Sequence, residues 1–220
     1  MPRAFLLLAC SLVATACADE SEDYTQDSFD PIEAGDGSSE EEMTAFTQNA
    51  SYATARLDPL GESAATGTVT FTQTEDGVVV EYDLVGLELG EHGFHVHQNG
   101  DCGRGDDGTP GGAAGGHFNP LDAPHGAPSD DRDGRHVGDL GNVTSEAGGT
   151  TGGVARGQKT DSMISLSGPT SIVGRALVLH QGQDDLSSQP SGDAGDRIAC
   201  GVIELAAPPA GVGTDSTPRD

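Results

Sequence analysis

The chain of 220 residues contains no tryptophan, and aromatic side chains make up only 4 % of it. Cations are scarce as well: 10 Lys and Arg stand against 36 Asp and Glu, a formal net charge of −26. A surface that acidic has no electrostatic grip on nucleic-acid phosphates or on anionic lipid. Amphipathic helical stretches are missing and no internal repeat is found, so a helical bundle, whose interior needs more Leu and Ala, is excluded. What the chain has in quantity is glycine, 33 residues. That profile suits loop-rich β structure.

The negative charge is uneven. Residues 19–42 hold eleven acids and no Lys or Arg. Such a segment repels itself and has little apolar surface to bury, so 19–43 is expected to be a disordered linker. With those acids and Arg3 set aside, residues 43–220 still carry −16. Ahead of the linker, MPRAFLLLACSLVATACA (1–18) joins a basic start, a short apolar run and small residues. This is the pattern of an export signal, too short for a membrane span. Val13-Ala14-Thr15-Ala16-Cys17 resembles a bacterial lipobox, which would leave Cys17 as the lipidated first residue of the mature chain. Ala16-Cys17-Ala18 instead reads as an A-x-A site releasing a soluble protein. The expectation is a periplasmic or cell-envelope protein anchored through Cys17, with a soluble secreted form as the alternative. Cys10 and Cys17 then belong to the signal, leaving Cys102 and Cys200 as an even pair in an exported domain. A disulfide is their expected fate.

From about Thr44 the composition changes to short stretches rich in Val, Thr and aromatics, separated by Gly and Asp clusters. Thr66–Gln73 puts Val69 and Phe71 on one face. Val78–Leu84 alternates Val78, Val80, Tyr82 and Leu84 against Glu81 and Asp83, and Glu75-Asp76-Gly77 between them reads as a hairpin turn. Gly93–Gln98, Val137–Thr144, Ile172–His180 and Ala199–Leu205 offer further strands. Many short strands predict a sandwich or a barrel over 44–206, with a frayed tail at 207–220. Two stretches break the rhythm, Asn99–Arg135 and Gln181–Arg197, both rich in Gly, Pro and Asp. Loops of that length inside a compact domain carry function or are disordered. The first contains two histidines.

Seven histidines are present: His92, His95, His97, His117, His125, His136 and His180. His95-Val96-His97 lies on a strand, where period-2 alternation puts both imidazoles on one face, about 7 Å apart at Cα. Alone, that pair is a weak metal signal. His117, His125 and His136, followed by Asp139, add three imidazoles and a carboxylate, a complete tetrahedral shell for Zn²⁺ with no place left for substrate. His180 ends an apolar strand and is placed to join the His95/His97 pair. Copper favours several imidazoles and is redox-active, whereas zinc is not.

The segments GEHGFHVHQNGD (90–101), GGHFNP (115–120), RHVGDLGNVT (135–144) and RIACGVIEL (197–205) closely resemble the copper/zinc superoxide dismutase family, over a span from about Phe46 to Leu205. The resemblance implies an eight-stranded antiparallel Greek-key barrel with two long functional loops. It also implies one copper and one zinc ion per chain. Copper would be held by His95, His97, His117 and His180, and zinc by His117, His125, His136 and Asp139. Asp184 matches a carboxylate that links a copper histidine to a zinc histidine, here His95 and His125. Cys102 and Cys200 match an intrasubunit disulfide, and Arg197 an arginine beside the copper. His92 matches a position that is not a ligand and is read as a structural hydrogen-bonding residue. The implied activity is disproportionation of superoxide to oxygen and hydrogen peroxide, by alternate reduction and reoxidation of a copper ion bridged to zinc through His117.

The sequence departs from the better-known cytosolic pattern in three places. The stretch from His97 to His117 is longer, with a Gly-rich insert at Gly103–Gly116. Cys102 directly follows Asp101. Loop 181–196 holds no Lys or Arg, which puts the strength of substrate steering in question rather than the chemistry. A rival reading is a metal-binding barrel that has lost the chemistry, and complete ligand sets together with Arg197 and Asp184 count against it. Asn49-Ala50-Ser51 and Asn142-Val143-Thr144 are sequons, relevant only in a eukaryotic secretory host. Oligomeric state is not written in these motifs, and a homodimer is one state open to the chain.

Overall fold

The computed structural model of the protein describes residues 51–148 and 152–209; residues 1–50, on which the export-signal and linker expectations fall, lie outside them, as do 149–151 and 210–220. Nine strands occur in chain order: β1 Tyr52–Pro59, β2 Thr66–Thr74, β3 Gly77–Leu87, β4 Gly90–Val96, β5 Asp139–Ala147, β6 Gly153–Asp161, β7 Ala176–His180, β8 Arg197–Val202 and β9 Glu204–Leu205. A single 3-10 turn at Gly112–Ala114 is the only helical element among the described residues, and none is long and apolar enough to cross a membrane.

Alternation builds the core. Ala53, Ala55 and Leu57 of β1, Val69 and Phe71 of β2, and Val78, Val80 and Leu84 of β3 all point inward and are fully or almost fully buried. The β2–β3 hairpin turns on Glu75-Asp76, closed by the Thr74–Gly77 pair, with Gly77 at φ 134° where a side chain would be strained. β7 is buried along its whole length. Leu177 and Leu179 enter the barrel, while Ala176 and Val178 face outward and are covered by Ala114 and the Cys102–Cys200 pair.

The strands close into an antiparallel ring in the order β1–β2–β3–β6–β5–β4–β7–β8, with β8 returning to β1. Crossovers from β3 to β4 and from β6 to β7 give the Greek-key topology. Counting β8 and β9 as one interrupted strand yields eight, as the sequence predicts. The interruption falls at Ile203, whose N–H donates to Arg175 O and whose carbonyl accepts from Gly174 N–H, so it leaves its strand neighbours for a single residue. The ring is thin in two places: β5 meets β6 only at Glu146–Val154 and Ala147–Gly153, and β8 meets β1 only at two pairs.

Two strands escaped the sequence pattern. β1 had no assigned range, and β6 (GVARGQKTD) carries little inward apolar alternation, so its position is set by pairing with β3 over nine residues. Several strand ends also moved. β4 begins at Gly90 and stops at Val96, because His97 leaves it to bridge with His117. β7 starts at Ala176 rather than Ile172, since Arg175 N–H turns back to Ile172 O.

Cys102 and Cys200 are joined, with Cα atoms 5.7 Å apart and a sequence separation of 98. Closing a loop of that length contributes about 4–5 kcal/mol in the chain-entropy account. Replacing both cysteines by Ser is therefore expected to lower the unfolding free energy of the metal-free protein by a few kcal/mol, read from denaturant titrations. An unchanged midpoint would show that the link is energetically idle.

Candidate metal centre

The site grows out of the ends of β4, β5 and β7. Phe94 and Val96 fill the barrel, so His95 faces outward beneath the two long loops. A bulge between Gly93 and His95 re-aims that histidine opposite Asp139 at the start of β5. Three backbone bonds stitch the adjoining loop to the strand: Phe118 N–H to Val96 O at 2.8 Å, Val96 N–H to Gly138 O at 2.9 Å and Gly138 N–H to Phe118 O at 2.9 Å. They fix His117 beside His97 and His136 on the other side of His117. A Cβ at Gly138 would overlap Val96 O, so glycine is what lets the chains approach this closely.

Six imidazoles and two carboxylates converge there, in two sets that share His117. The donors of His95, His97, His117 and His180 lie within 4.8 Å of one another, as do those of His117, His125, His136 and Asp139. All are buried, Asp139 completely. Their partners fix the tautomers, because carbonyl and carboxylate oxygens only accept. His97 Nδ1–H donates to Gly115 O at 2.9 Å and His180 Nδ1–H to Gly195 O at 3.1 Å. Their two Nε2 atoms then face each other at 3.4 Å as lone pairs. His95 Nε2–H donates to Asp184 Oδ2 at 2.8 Å and His125 Nε2–H to Asp184 Oδ1 at 2.9 Å. That leaves His95 Nδ1 and His125 Nδ1, together with His117 Nε2, buried without a hydrogen-bond partner. In the second set the Nδ1 atoms of His117, His125 and His136 gather round the Asp139 carboxylate at 2.7, 3.1 and 3.1 Å.

Opposed lone pairs and orphaned buried nitrogens are unfavourable unless a cation lies between them. The donor sets therefore fit two metal ions, one with four imidazoles and one with three imidazoles and a carboxylate. Titration behaviour agrees. Burial pushes His117 down to about 4 and His180 to about 3, and lowers His95 and His97 too, so these rings are neutral and ready to coordinate. Burial also acts on His125, but the Asp139 and Asp184 carboxylates on either side of it outweigh burial and raise this ring to about 9, so it gives up a proton when it coordinates. Asp139 and Asp184 resist burial through their histidine partners and stay well below the usual carboxylate range.

The two sets differ in access. A cavity of about 800 Å³ is lined by three ligands of the first set, His97, His117 and His180, by His136 of the second, and by Asp107 and Arg197, while His95, His125 and Asp139 do not line it. Arg197 is the cross-strand partner of His180 in the β7–β8 ladder. Its Nη2 donates to Gly115 O at 2.6 Å, the same carbonyl that holds His97, and its Nη1 donates to Gly111 O.

The family model described as copper/zinc superoxide dismutase (SODC) matches residues 65–203. The chain belongs to the copper/zinc superoxide dismutase family. A protein of Candida glabrata named superoxide dismutase (Cu-Zn) is 44 % identical over 154 residues, 66 % of this chain and 93 % of its own. One of the same name from Yarrowia lipolytica is 47 % identical over 156 residues, 67 % of this chain and 94 % of its own. A crystal structure of a protein called the clock protein EA4 superposes with a TM-score of 0.61 at 44 % identity, covering 71 % of this chain and 96 % of that one. Like its family, the chain binds copper and zinc, and the two donor clusters are where it can hold them.

Each ligand residue named from the sequence of this copper/zinc superoxide dismutase family member lies in one of the two clusters, and Asp184 spans His95 and His125. Cys17 lies outside the described residues. His92 ligates nothing; its ring nitrogens face His180 O at 2.9 Å and Glu88 O at 3.0 Å. Other contributors were not read as such. Asn142, noted only as a sequon, accepts from Asp184 N–H and donates to Asp184 O, both at 2.8 Å, while Asn49 is outside the described residues. Gly192 gives Asp184 its room, since a Cβ there would overlap Asp184 Oδ1 and lie 2.6 Å from His125 Nε2. Arg135 joins Asp139 O at 2.9 Å to Asp161 at 2.6 Å. Of these, only Arg135 and Asn142 sit inside a recognisable motif.

Replacing Asp139 with Ala removes the one carboxylate of the second set. We expect one of the two ions to be lost by elemental analysis and the melting temperature to fall by about 10 °C or more, at ~2–4 °C per kcal/mol for a domain of this size. Full metal content in that variant would contradict the ligand assignment.

Proposed function

We propose that the protein disproportionates superoxide, converting two superoxide anions and two protons into oxygen and hydrogen peroxide, at an open copper site beside a closed zinc site. The observation that carries this reading is the pair of facing lone pairs on His97 and His180 at an open, arginine-lined cavity. His95, His97, His117 and His180 would hold copper, and His117, His125, His136 and Asp139 zinc. Bound copper supplies one-electron chemistry, whereas zinc with four protein donors supplies only structure.

The chain's own residues do the rest. Arg197 is permanently positive and is held at the cavity wall by the carbonyls of Gly111 and Gly115, so it can bind an anion next to His180. His117 Nε2, buried and unpartnered, is the atom where a proton can be taken up and returned for peroxide release. Without metal, Nδ1 of the same ring is held by Asp139 at 2.7 Å, and with zinc bound it is the nitrogen that would face that ion. Asp184 keeps the protons of His95 and His125 on their outer nitrogens and so aims both lone pairs inward.

We propose further that the protein is exported, with Cys17 lipidated and residues 19–43 acting as tether. The signal-like residues 1–18 and the Cys102–Cys200 disulfide support an oxidising compartment. Intact mass of the mature chain is expected to show diacylglycerol on Cys17, and a soluble chain beginning at Asp19 would refute the anchor.

Residues 43–220 repel superoxide with their net −16, but only within about a Debye length, ~8–10 Å at physiological salt. Asp107 adds a negative charge close to Arg197. Asp106 lines the cavity too, so the attraction of Arg197 acts at close range, beside His180. We expect kcat/KM to fall from wild type to Arg197→Ala to Arg197→Glu at constant metal content, and added salt to leave the wild type unchanged or slightly faster. Equal rates for the two variants would remove Arg197 from the substrate path. A steep fall with salt would reveal a positive funnel that loop 181–196 does not provide. No turnover by the copper- and zinc-loaded wild type would leave a metal-binding barrel without the chemistry.

A further inference from the structure

We propose that Lys159 is a positioning residue for the metal centre: its ammonium stands in for the missing ladder between β5 and β6 and, through Asn142, fixes the Asp184 carboxylate that orients His95 and His125. The inference rests on the metal-centre reading above.

Lys159 lies on β6 two pleats beyond Ala155, so it points to the barrel interior, opposite Val80 of β3. A lysine there is costly. It is only partly exposed, and burial pushes its ammonium down to about 8. Two compensations are visible. Its Nζ donates to Leu140 O and Asn142 O, both at 2.8 Å, and it lies 6.0 Å from the Tyr82 ring centre and 5.8 Å from that of Phe94.

The acceptors are what matter. β5 and β6 pair only at Glu146–Ala147, so no β6 N–H reaches the carbonyls at the other end of β5. Lys159 takes two of them, Leu140 O and Asn142 O, and Arg135 takes Asp139 O. That end of β5 carries Asp139 and Asn142. The Asn142 side chain clasps the Asp184 peptide from both sides, and Asp184 in turn holds His95 and His125. A chain of bonds about five links long thus runs from β6 to both metal sets. Each link is a hydrogen bond of ordinary or charge-assisted length.

The test uses the copper- and zinc-loaded protein and compares Lys159→Met, Lys159→Gln, Asn142→Ala and the Lys159→Met/Asn142→Ala double variant with Val80→Ala. The last removes core volume opposite Lys159 on β3 and leaves the ammonium and both of its β5 acceptors in place. Zinc release to a chelator and the visible copper absorption band are followed alongside melting temperature. We expect Lys159→Met and Asn142→Ala each to release zinc at least about tenfold faster and to shift the copper band. Lys159→Gln, which can still reach one carbonyl, should fall between, and the double variant should be no faster than the worse single. Val80→Ala should melt earlier yet keep wild-type release and spectrum. Should Lys159→Met not fold, the order wild type, Lys159→Gln, Asn142→Ala carries the test. Additive effects in the double variant would overturn the proposal. So would release in Lys159→Met or Lys159→Gln no faster than in Val80→Ala at matched stability. Failure of the metal-centre reading would look different, because the wild type itself would then lack one of the two ions.

Discussion

Two carboxylates, Asp139 and Asp184, are buried among six imidazoles, and almost every other feature of the site follows from how those charges are satisfied. A buried anion is tolerated only with close, well-directed partners. Asp184 receives the outer N–H groups of His95 and His125, which forces their inner nitrogens to carry lone pairs. The backbone carbonyls of Gly115 and Gly195 do the same for His97 and His180. Around the first set the protein has placed its protons on the outside and its lone pairs on the inside. Such an arrangement is stable only when cations occupy the middle, which couples folding to metal binding.

The barrel and the loops divide this work. Strand pleating sends Phe94, Val96, Leu177 and Leu179 inward and leaves His95 and His180 outside, where only the long loops can cover them. One loop brings His117, His125 and His136, and the other brings Asp184. The disulfide ties the first loop to β8, three residues from Arg197, so the carbonyls that hold the guanidinium are anchored to the strand that carries it. One metal set remains open to a cavity beside that arginine, whereas the other is enclosed apart from His136 and the shared His117. In the proposed function that asymmetry is what would separate a reacting site from a supporting one within a single cluster.

Much of this was legible in the sequence because it is local. The alternation of Val78, Val80 and Leu84, the spacing of His95 and His97, and the ordered motifs around the remaining ligands all speak within a few residues of themselves. What stayed hidden depends on contacts distant in the chain. β6 has almost no apolar signature and is recruited by β3. Lys159 looks like a surface lysine until its strand is known to face inward. Asn142 reads as a glycosylation sequon, yet its amide is committed to Asp184, forty-two residues away. Gly192 is one glycine among many until the space beside Asp184 is examined. None of these carries a local pattern, since each is defined by what another segment places next to it.

The shared imidazole of His117 is the most exposed point of the account, because it requires both ions to meet on one ring. Anomalous diffraction from crystals of the metal-loaded protein, collected at the copper and zinc absorption edges, addresses it directly. The account predicts one copper peak among His95, His97, His117 and His180 and one zinc peak among His117, His125, His136 and Asp139, on opposite nitrogens of His117. A single metal peak, or two peaks of which either lacks His117 as a ligand, would contradict it.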